Sequence, residues 1–465
     1  MFTLSLPRTL AGALLLSGAA TAQAATMLVT VKADVYDGVC SLHCSLRDAV
    51  AVANQAPDAD VILLPSGTYT LTRLDPLDGD GIPIDEDGNL TGDLDIAGEL
   101  LIRGGGLGKS VIKGPSDERE IVNHRLIEVH PDKRLRLERL TLRNGRSAYN
   151  GGAVENHGRL SLRQVSADHN RATVHSVPGA QGGIEARNDQ YGGGAIANYG
   201  ELIIQASRFD ANATIAGAGN ENATMGGALF NDGSLTVHDS HFEFSGTEDQ
   251  EAAGAAIYNK GQATIERSSF INNHGMELSE GAIANEGGVL TLTNSTLSSN
   301  DAAVSNGLYD ELAQRRSSAT LTNVTITDNH GFLQPGGVTN GGELDIHNSV
   351  IAGNTSDFSD AGDNCDNRGS DFSYQAIGLL MNDEASNCTA DLFVPFEQTF
   401  TTVLSAAPTL QSNGTWTHNL LPGSPAIDAG IGDCIAKDQR GVSRPKDGNG
   451  DGVAVCDLGA YELKP

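Results

Sequence analysis

The chain is predicted to be all-β, a right-handed parallel β-helix with about three strands per rung. Three observations predict this. A glycine-rich phrase closing on asparagine recurs through the middle of the chain. A short alternating strand follows it each time, and a third segment ends each unit on a second asparagine. A repeat of one supersecondary unit means stacked copies, because one unit alone cannot bury its inward face.

The phrase runs Gly151 to Asn156, Gly193 to Asn198, Gly226 to Asn231, Gly254 to Asn259, Gly281 to Asn285 and Gly336 to Asn340, with a further unit marked by Ala303 to Gly307. Uneven spacing between units is tolerated when extra residues loop out on one side. The strands after it, such as Gly200 to Ile204, Gly233 to Val237 and Gly288 to Leu292, alternate with period two and are rich in β-branched residues. The closing segments end at Asn212, Asn273, Asn300 and Asn354. No sustained helical period interrupts this region, which points to a β-helix rather than an α/β solenoid.

Asn156, Asn198, Asn231, Asn259, Asn285 and Asn340 are expected to form a structural ladder, each amide both donating to and accepting from its neighbours. Tolerance of a left-handed backbone is expected to be a second reason for asparagine there. The Gly-Gly-Ala before it keeps the wall thin at a sharp bend.

In chain order, residues 1–24 read as an export signal: Arg8, an apolar run from Leu10 to Leu16, and an Ala22-Gln23-Ala24 cleavage site. Residues 25–60 form an N-terminal cap. Ser45-Leu46-Arg47-Asp48 is a capping box opening an amphipathic helix through Ala53. Residues 61–360 form the β-helix, with early strands at Val61 to Leu64 and Thr68 to Thr72, and 361–465 form a C-terminal region. The longest insertion, Thr173 to Tyr191, is expected on the surface.

The 59 acidic and 30 basic residues give a formal charge of −29, which excludes nucleic acid and anionic membrane as partners. No apolar stretch in the mature chain is long enough to span a bilayer. A soluble exported monomer, extracellular or at a bacterial cell surface or outer membrane, is expected. The six cysteines suit an oxidising compartment. Pairing between sequence neighbours is expected: Cys40 with Cys44, Cys365 with Cys388, and Cys434 with Cys456. All lie outside the central repeats, where solenoid ends need staples.

Cys44-Ser45-Leu46-Arg47-Asp48-Ala49 with Asn54, Gly92 to Ile96 and Ile102 to Gly106 resembles the CSLREA-type N-terminal region of bacterial surface proteins. Pro422 to Gly430, Asp438 to Gly441, Arg444-Pro445 and Asp457 to Glu462 resemble the choice-of-anchor Q domain. The central repeats, with Phe209 to Asn212 and Phe270 to Asn273, are similar to the GGAI and FxxN repeats of chlamydial polymorphic membrane proteins. These resemblances imply a right-handed β-helix displayed on or released from a bacterial cell, in the last comparison an adhesin. The chain departs from these patterns in reaching Pro465 without membrane barrel, sorting motif or apolar tail, so display and free secretion are both expectations.

Asp447, Asn449 and Asp451 match the first half of a calcium loop; Leu458 stands where its bidentate glutamate belongs, and Asp457 beside it is the candidate substitute. Calcium is the one cofactor suggested. The acidic run Asp75, Asp78, Asp80, Asp85, Glu86, Asp87, Asp93 and Asp95 reads as a solvated loop or a second calcium site. Inverting glycosidases need carboxylates roughly 6.5–9.5 Å apart; Asp210 with Glu243, or Glu155 with a neighbouring rung, could supply them, and Arg208 or Arg267 the base of a lyase. His169, His274 and His330 recur at equivalent turns, which points to structure. With no nucleophile motif, catalytic residues are unassigned. The expectation is a non-enzymatic adhesin or scaffold that binds an extracellular glycan or protein, with a polysaccharide lyase or glycosidase as alternative.

Overall fold

The computed structural model describes residues 24–56, 58–76, 84, 86–115, 124–148, 150–174, 192–216, 224–248, 252–275, 281–307, 316–357, 362–368, 373–382 and 386–465. The export signal lies outside them except Ala24, as does most of the Thr173 to Tyr191 insertion.

The chain winds as a right-handed parallel β-helix. Each central rung contributes three strands. The rung at the middle of the stack runs Leu229–Asn231, Ser234–His238 and His241–Glu243. The first kind of strand stacks into a ten-stranded parallel sheet, from Leu94–Ile96 to Cys365–Asn367. The other two kinds share a 20-stranded sheet. Register is kept from rung to rung: Ile196 lies on Leu229, then Ile257, then Ile283. A one-residue slip would turn every inward side chain outward, so this register follows from the alternating pattern.

The inward columns are aliphatic and fully buried, for example Ile204, Val237, Ile265 and Leu292. Phe209, Phe242 and Phe270 stack face to face at 4.7 and 4.8 Å between centroids. Offset aromatic stacking adds to simple area burial.

The two bends flanking the third strand carry the left-handed backbone. Ala206, Asp239 and Arg267 have φ of 48°, 49° and 48°, and Ala211, Phe244 and Asn272 have 52°, 51° and 54°. The ladder asparagines are strand residues and are absent from the positive-φ positions. The expectation that left-handed tolerance selects them is therefore corrected: their amide chemistry is the reason, and the strain falls on other residues.

The N-terminal end is closed by the helix Leu46–Ala53, whose capping box is formed by Ser45 and Asp48. Thr26–Leu28, in the cap segment, already pairs with Asp60–Leu64 as part of the sheet. Arg47 is fully buried. It pairs with Asp34 at 2.7 Å and donates to the carbonyls of Thr91, Gly92 and Asp93 at 2.8–2.9 Å. One guanidinium thus ties the helix to the acidic segment.

At the other end the rungs continue past residue 360, through Tyr374–Asn382 to Leu392–Val394. The chain then returns along the outside of the solenoid. Trp416 donates its backbone N–H to Ser269 Oγ (3.1 Å), Thr296 Oγ1 donates to Gln439 Oε1 (2.7 Å), Ser298 Oγ meets His418 Nε2 (2.9 Å), and Ala460 N–H reaches Thr325 Oγ1 (2.9 Å). This belt buries the third strands of successive rungs, which is why Ser269, Thr296, Ser298 and Thr325 are inaccessible although they point away from the core. The three disulfides are Cys40–Cys44, Cys365–Cys388 and Cys434–Cys456. Among the described residues no helix is long and apolar enough to cross a membrane.

Candidate functional site

In the short strands of the ten-stranded sheet, such as Val154–Asn156, the outer two residues face the core and the middle one faces away from it. On three successive rungs the middle residues are Asp95, Glu128 and Glu155, stacked in register. Arg125 reaches two of these acids, Glu128 at 2.8 Å and Glu155 at 2.5 Å, and also Asp93, two residues before Asp95, at 3.2 Å. His157 contacts Glu155 at 3.1 Å, and His130 lies 3.4 Å from Asp95. Burial pushes the Glu155 carboxyl up, but Arg125 and then His157 outweigh it and hold it below the ordinary glutamate value. The hydrogen bond to Glu155 raises His157 against its partial burial. Glu155 is therefore ionised, and its imidazole partner favours the charged form.

Further along, the same face turns aromatic. His157 stacks on Tyr199 at 5.0 Å and 11°; Tyr199 meets Phe230 at 5.8 Å, and Phe230 stacks on Tyr258 at 5.8 Å. The ion-paired column thus adjoins a small aromatic cluster in which Phe230 and Tyr258 are buried and His157 and Tyr199 are partly exposed.

The asparagines form two ladders. Asn156 donates to Asn198 Oδ1 at 2.6 Å, and the chain of bonds continues through Asn231, Asn259, Asn285, Asn306, Asn340 and Asn367 at 2.6–2.8 Å. Each amide also donates to a backbone carbonyl of the next rung, as Asn198 does to Ser234. The second ladder links Asn273, Asn300, Asn329 and Asn354 at 2.8–3.0 Å. Ser245 stands where Asn212 and Asn273 flank it, and its N–H donates to Asn273 Oδ1. These side chains are buried and mutually satisfied, which leaves them no capacity for a ligand.

The suspected hydrolase pair, Asp210 and Glu243, sits on adjacent rungs with Arg208 between them at 3.2 and 3.0 Å. The hydrogen bond from His241 holds Glu243 below the usual glutamate value against its burial, with the charges of His241 and Arg208 adding to it. Arg267 is a corner staple, forking onto Asp239 at 2.9 Å through both nitrogens. His274 and His330 lie at exposed turns beside Asp301 and Asp357, and His169 beside Asp168.

In the suspected calcium loop, Asp447 accepts N–H bonds from Gly450, Asp451 and Gly452 at 2.7, 3.1 and 3.0 Å. Asn449 Oδ1 accepts from Asp451 N–H, and Asp451 Oδ1 from Val453 N–H, both at 2.8 Å. Asp457 is fully buried and accepts from Asp428 and Leu463 backbone N–H at 2.8 and 2.5 Å. Its carboxylate belongs to the packing of the belt. Beside it the buried pair Arg444 and Glu462 lies at 2.9 Å, and burial pushes the Glu462 carboxyl up to about 7. The motif residues Asp438, Gln439, Arg444, Asp457 and Glu462 are thus fastenings of the belt to itself and to the rungs.

In the acidic run, Asp78, Asp80 and Asp85 lie outside the described residues. Glu86 accepts the N–H groups of Leu90 and Thr91. Among the described residues, two groups bring three metal-binding side chains together: Asp37, His43 and Asp48, and Asp87, Asp95 and His130, with ligand atoms within 4.8 Å of one another. Both oxygens of Asp48 already serve the cap. The second group mixes imidazole with carboxylates, a set suited to zinc or manganese more than to calcium.

The column under Arg125 escaped sequence reading apart from Glu155 and the acidic run. Its only signal was an acidic residue at one position of the repeated strand, visible once the strands are aligned.

No protein-family model matches the chain, and no curated protein matches it. Among solved structures, the crystal structure of pectate lyase Pel9A is similar at 15% identity and a TM-score of 0.42, over 94% of this chain and 96% of that one.

Proposed function

We propose that the protein is an exported binding scaffold, an adhesin-like β-helix for extracellular glycan or protein surfaces, acting without catalysis. One observation carries this reading: the two outward glutamates offered for hydrolysis, Glu155 and Glu243, are held in ion pairs. A glycosidase general acid must be protonated at working pH, which requires a raised value. Glu155 and Glu243 are shifted the other way by Arg125, His157, His241 and Arg208. The carboxyls that burial does raise, Asp457 and Glu462, are buried inside the belt where no substrate reaches. Three disulfides support an oxidising, extracellular setting.

Calcium at Asp447, Asn449 and Asp451 is part of the proposal; Asp457 is left out because its oxygens hold backbone amides. Bound calcium would brace the loop tip.

The test is a screen of the purified protein against acidic and neutral polysaccharides, with calcium and with chelator. Retention without new reducing or unsaturated ends is expected; released ends would establish the lyase or glycosidase alternative. In the same samples chelator should lower the melting temperature, and Asp451→Ala should abolish that response. An unchanged melting curve would reduce the loop to a turn.

A further inference from the structure

The belt is held in two unlike ways along its length. At its root Val403, Leu404 and Leu420 pack against Val350 and Leu380 of the last rungs, an apolar seat closed to water. Residues 405–419 add nothing to that cluster. They form a tip, the hairpin of Thr409–Leu410 with Trp416–Thr417, clasped by Gln439 through Thr415 and the Trp416 carbonyl. The tip meets the rungs through three hydrogen bonds, none between two charged groups: Asn413 to Asp239 at 3.3 Å, Trp416 N–H to Ser269 at 3.1 Å and Thr296 to Gln439 at 2.7 Å. Among the described residues no disulfide or ion pair joins belt to rungs. Cys434–Cys456, Arg440–Asp438 and Arg444–Glu462 all close the belt on itself.

Both sides of this contact stay paired when it opens. Asp239 keeps the fork from Arg267 at 2.9 Å, and Ser269 keeps His241 at 2.9 Å. Gln439 and Asn413 keep their bonds within the tip at 2.9–3.1 Å. The surface uncovered, Ser269 and Thr296, is polar and takes water without penalty. Closing, by contrast, strands a group. Asn294 occupies the same left-handed corner as Arg267 and Asn323, on the rung between them. The belt grips this column on either side, at Asp239 and at Asn323. The Asn294 amide is inaccessible to water, and neither its oxygen nor its nitrogen has a partner. A buried polar group left unpaired opposes the state that buries it. Few apolar contacts and a stranded amide are the marks of a segment that opens locally.

We propose that the tip is a strap that lifts from the rungs while the root stays seated. Lifting uncovers Ser269 and Thr296 and frees the flank of His241, whose ring now lies 6.3 Å from that of Trp416. The exposed face that begins at Arg208–Asp210 and Glu243 then extends by two rungs. The belt thereby gates how much of the third-strand face another surface can reach, a control that does not depend on the scaffold reading.

Trp416 is the chain's single tryptophan and sits on the strap. Two readouts on the full chain follow it under native conditions: acrylamide quenching of its emission, and exchange of its backbone amide, whose bond to Ser269 breaks when the strap lifts. Gln439→Ala removes a tie. Asn294→Ala removes the stranded amide at a corner where Ala206 shows that alanine fits. Both variants are first shown to keep the parent's far-UV circular dichroism. The Trp416 amide should exchange faster than those of Ser269–Ile271 beneath it. It should exchange about fivefold faster again in Gln439→Ala and about fivefold slower in Asn294→Ala, with quenching moving the same way. A Trp416 amide as slow as those beneath it overturns the proposal, because the tip is then a fixed wall. A rate that either variant leaves unmoved overturns it too, because the hairpin then frays by itself. Should Gln439→Ala lose the parent's spectrum, Asn294→Ala alone decides.

Discussion

Asn231 sits at the middle of its ladder with a donor on one side and an acceptor on the other. It is inaccessible to water, donates to Asn259 and accepts from Asn198. Replacing it by alanine strands both neighbours in a place where no water can substitute. Leaving a buried polar group unpaired costs about 1–3 kcal/mol, so Asn231→Ala should lose about 2–4 kcal/mol in urea unfolding. Asn367→Ala, at the ladder's end, leaves one neighbour unpaired and should lose distinctly less. Equal losses would mean that the ladder adds nothing beyond local packing.

The Glu155 and His157 pair predicts a pH signature. A carboxylate held below its ordinary value of 4.5 contributes fully above that value and loses its share as pH falls through its lowered value. A histidine held above its ordinary 6.5 contributes fully below that value and loses its share as pH rises through the raised one. The melting-temperature gap between parent and Glu155→Gln should therefore peak in mildly acidic solution and shrink on both sides. A gap independent of pH would show that the pair is solvated rather than coupled.

At the scale of elements, the cap hangs on Arg47. The capping box was readable because it is local: Ser45 and Asp48 stand three residues apart. The role of Arg47 was not, because Asp34 and the carbonyls of residues 91–93 come from distant segments. Removing one partner of a buried ion pair typically costs about 3–5 kcal/mol. Arg47→Met should destabilise by that order, and Arg47→Lys should fail to restore it, since an ammonium lacks the fork that reaches Asp34 and three carbonyls together. Thermal melts would check this, as would limited proteolysis, which should cut first between the cap and the first rungs. A lysine variant as stable as the parent would contradict the geometry.

Across the whole molecule, a solenoid is stabilised mainly between nearest neighbours, so rungs can open in groups. The belt changes this on one stretch. It spans rungs from Asp239 to Val350, tying them through Asn413, Gln439, Trp416 and Ala460. Amide exchange should be slowest in Ser269–Ile271, Thr296–Ser298 and Thr325–Thr327, and faster in Arg208–Asp210, which the belt leaves exposed. Uniform protection along the stack would show that the belt is a passenger.

The winding itself was determined by sequence alone. Period-two strands, recurring glycine bends and asparagines that close each turn are short-range signals, and each rung repeats them until only one stacking satisfies them all. The near-neighbour cysteine pairs belong to the same class, because closing a small loop needs no knowledge of the fold. Tertiary structure decided what joins distant segments: Arg125 among Asp93, Glu128 and Glu155, the belt folded back over polar strands, and Asp457 turned to backbone amides. These depend on which rung lies next to which and on what covers a face. Ser269 and Thr296 read as solvent-facing residues until the segment that buries them, more than a hundred residues later in the chain, is in place.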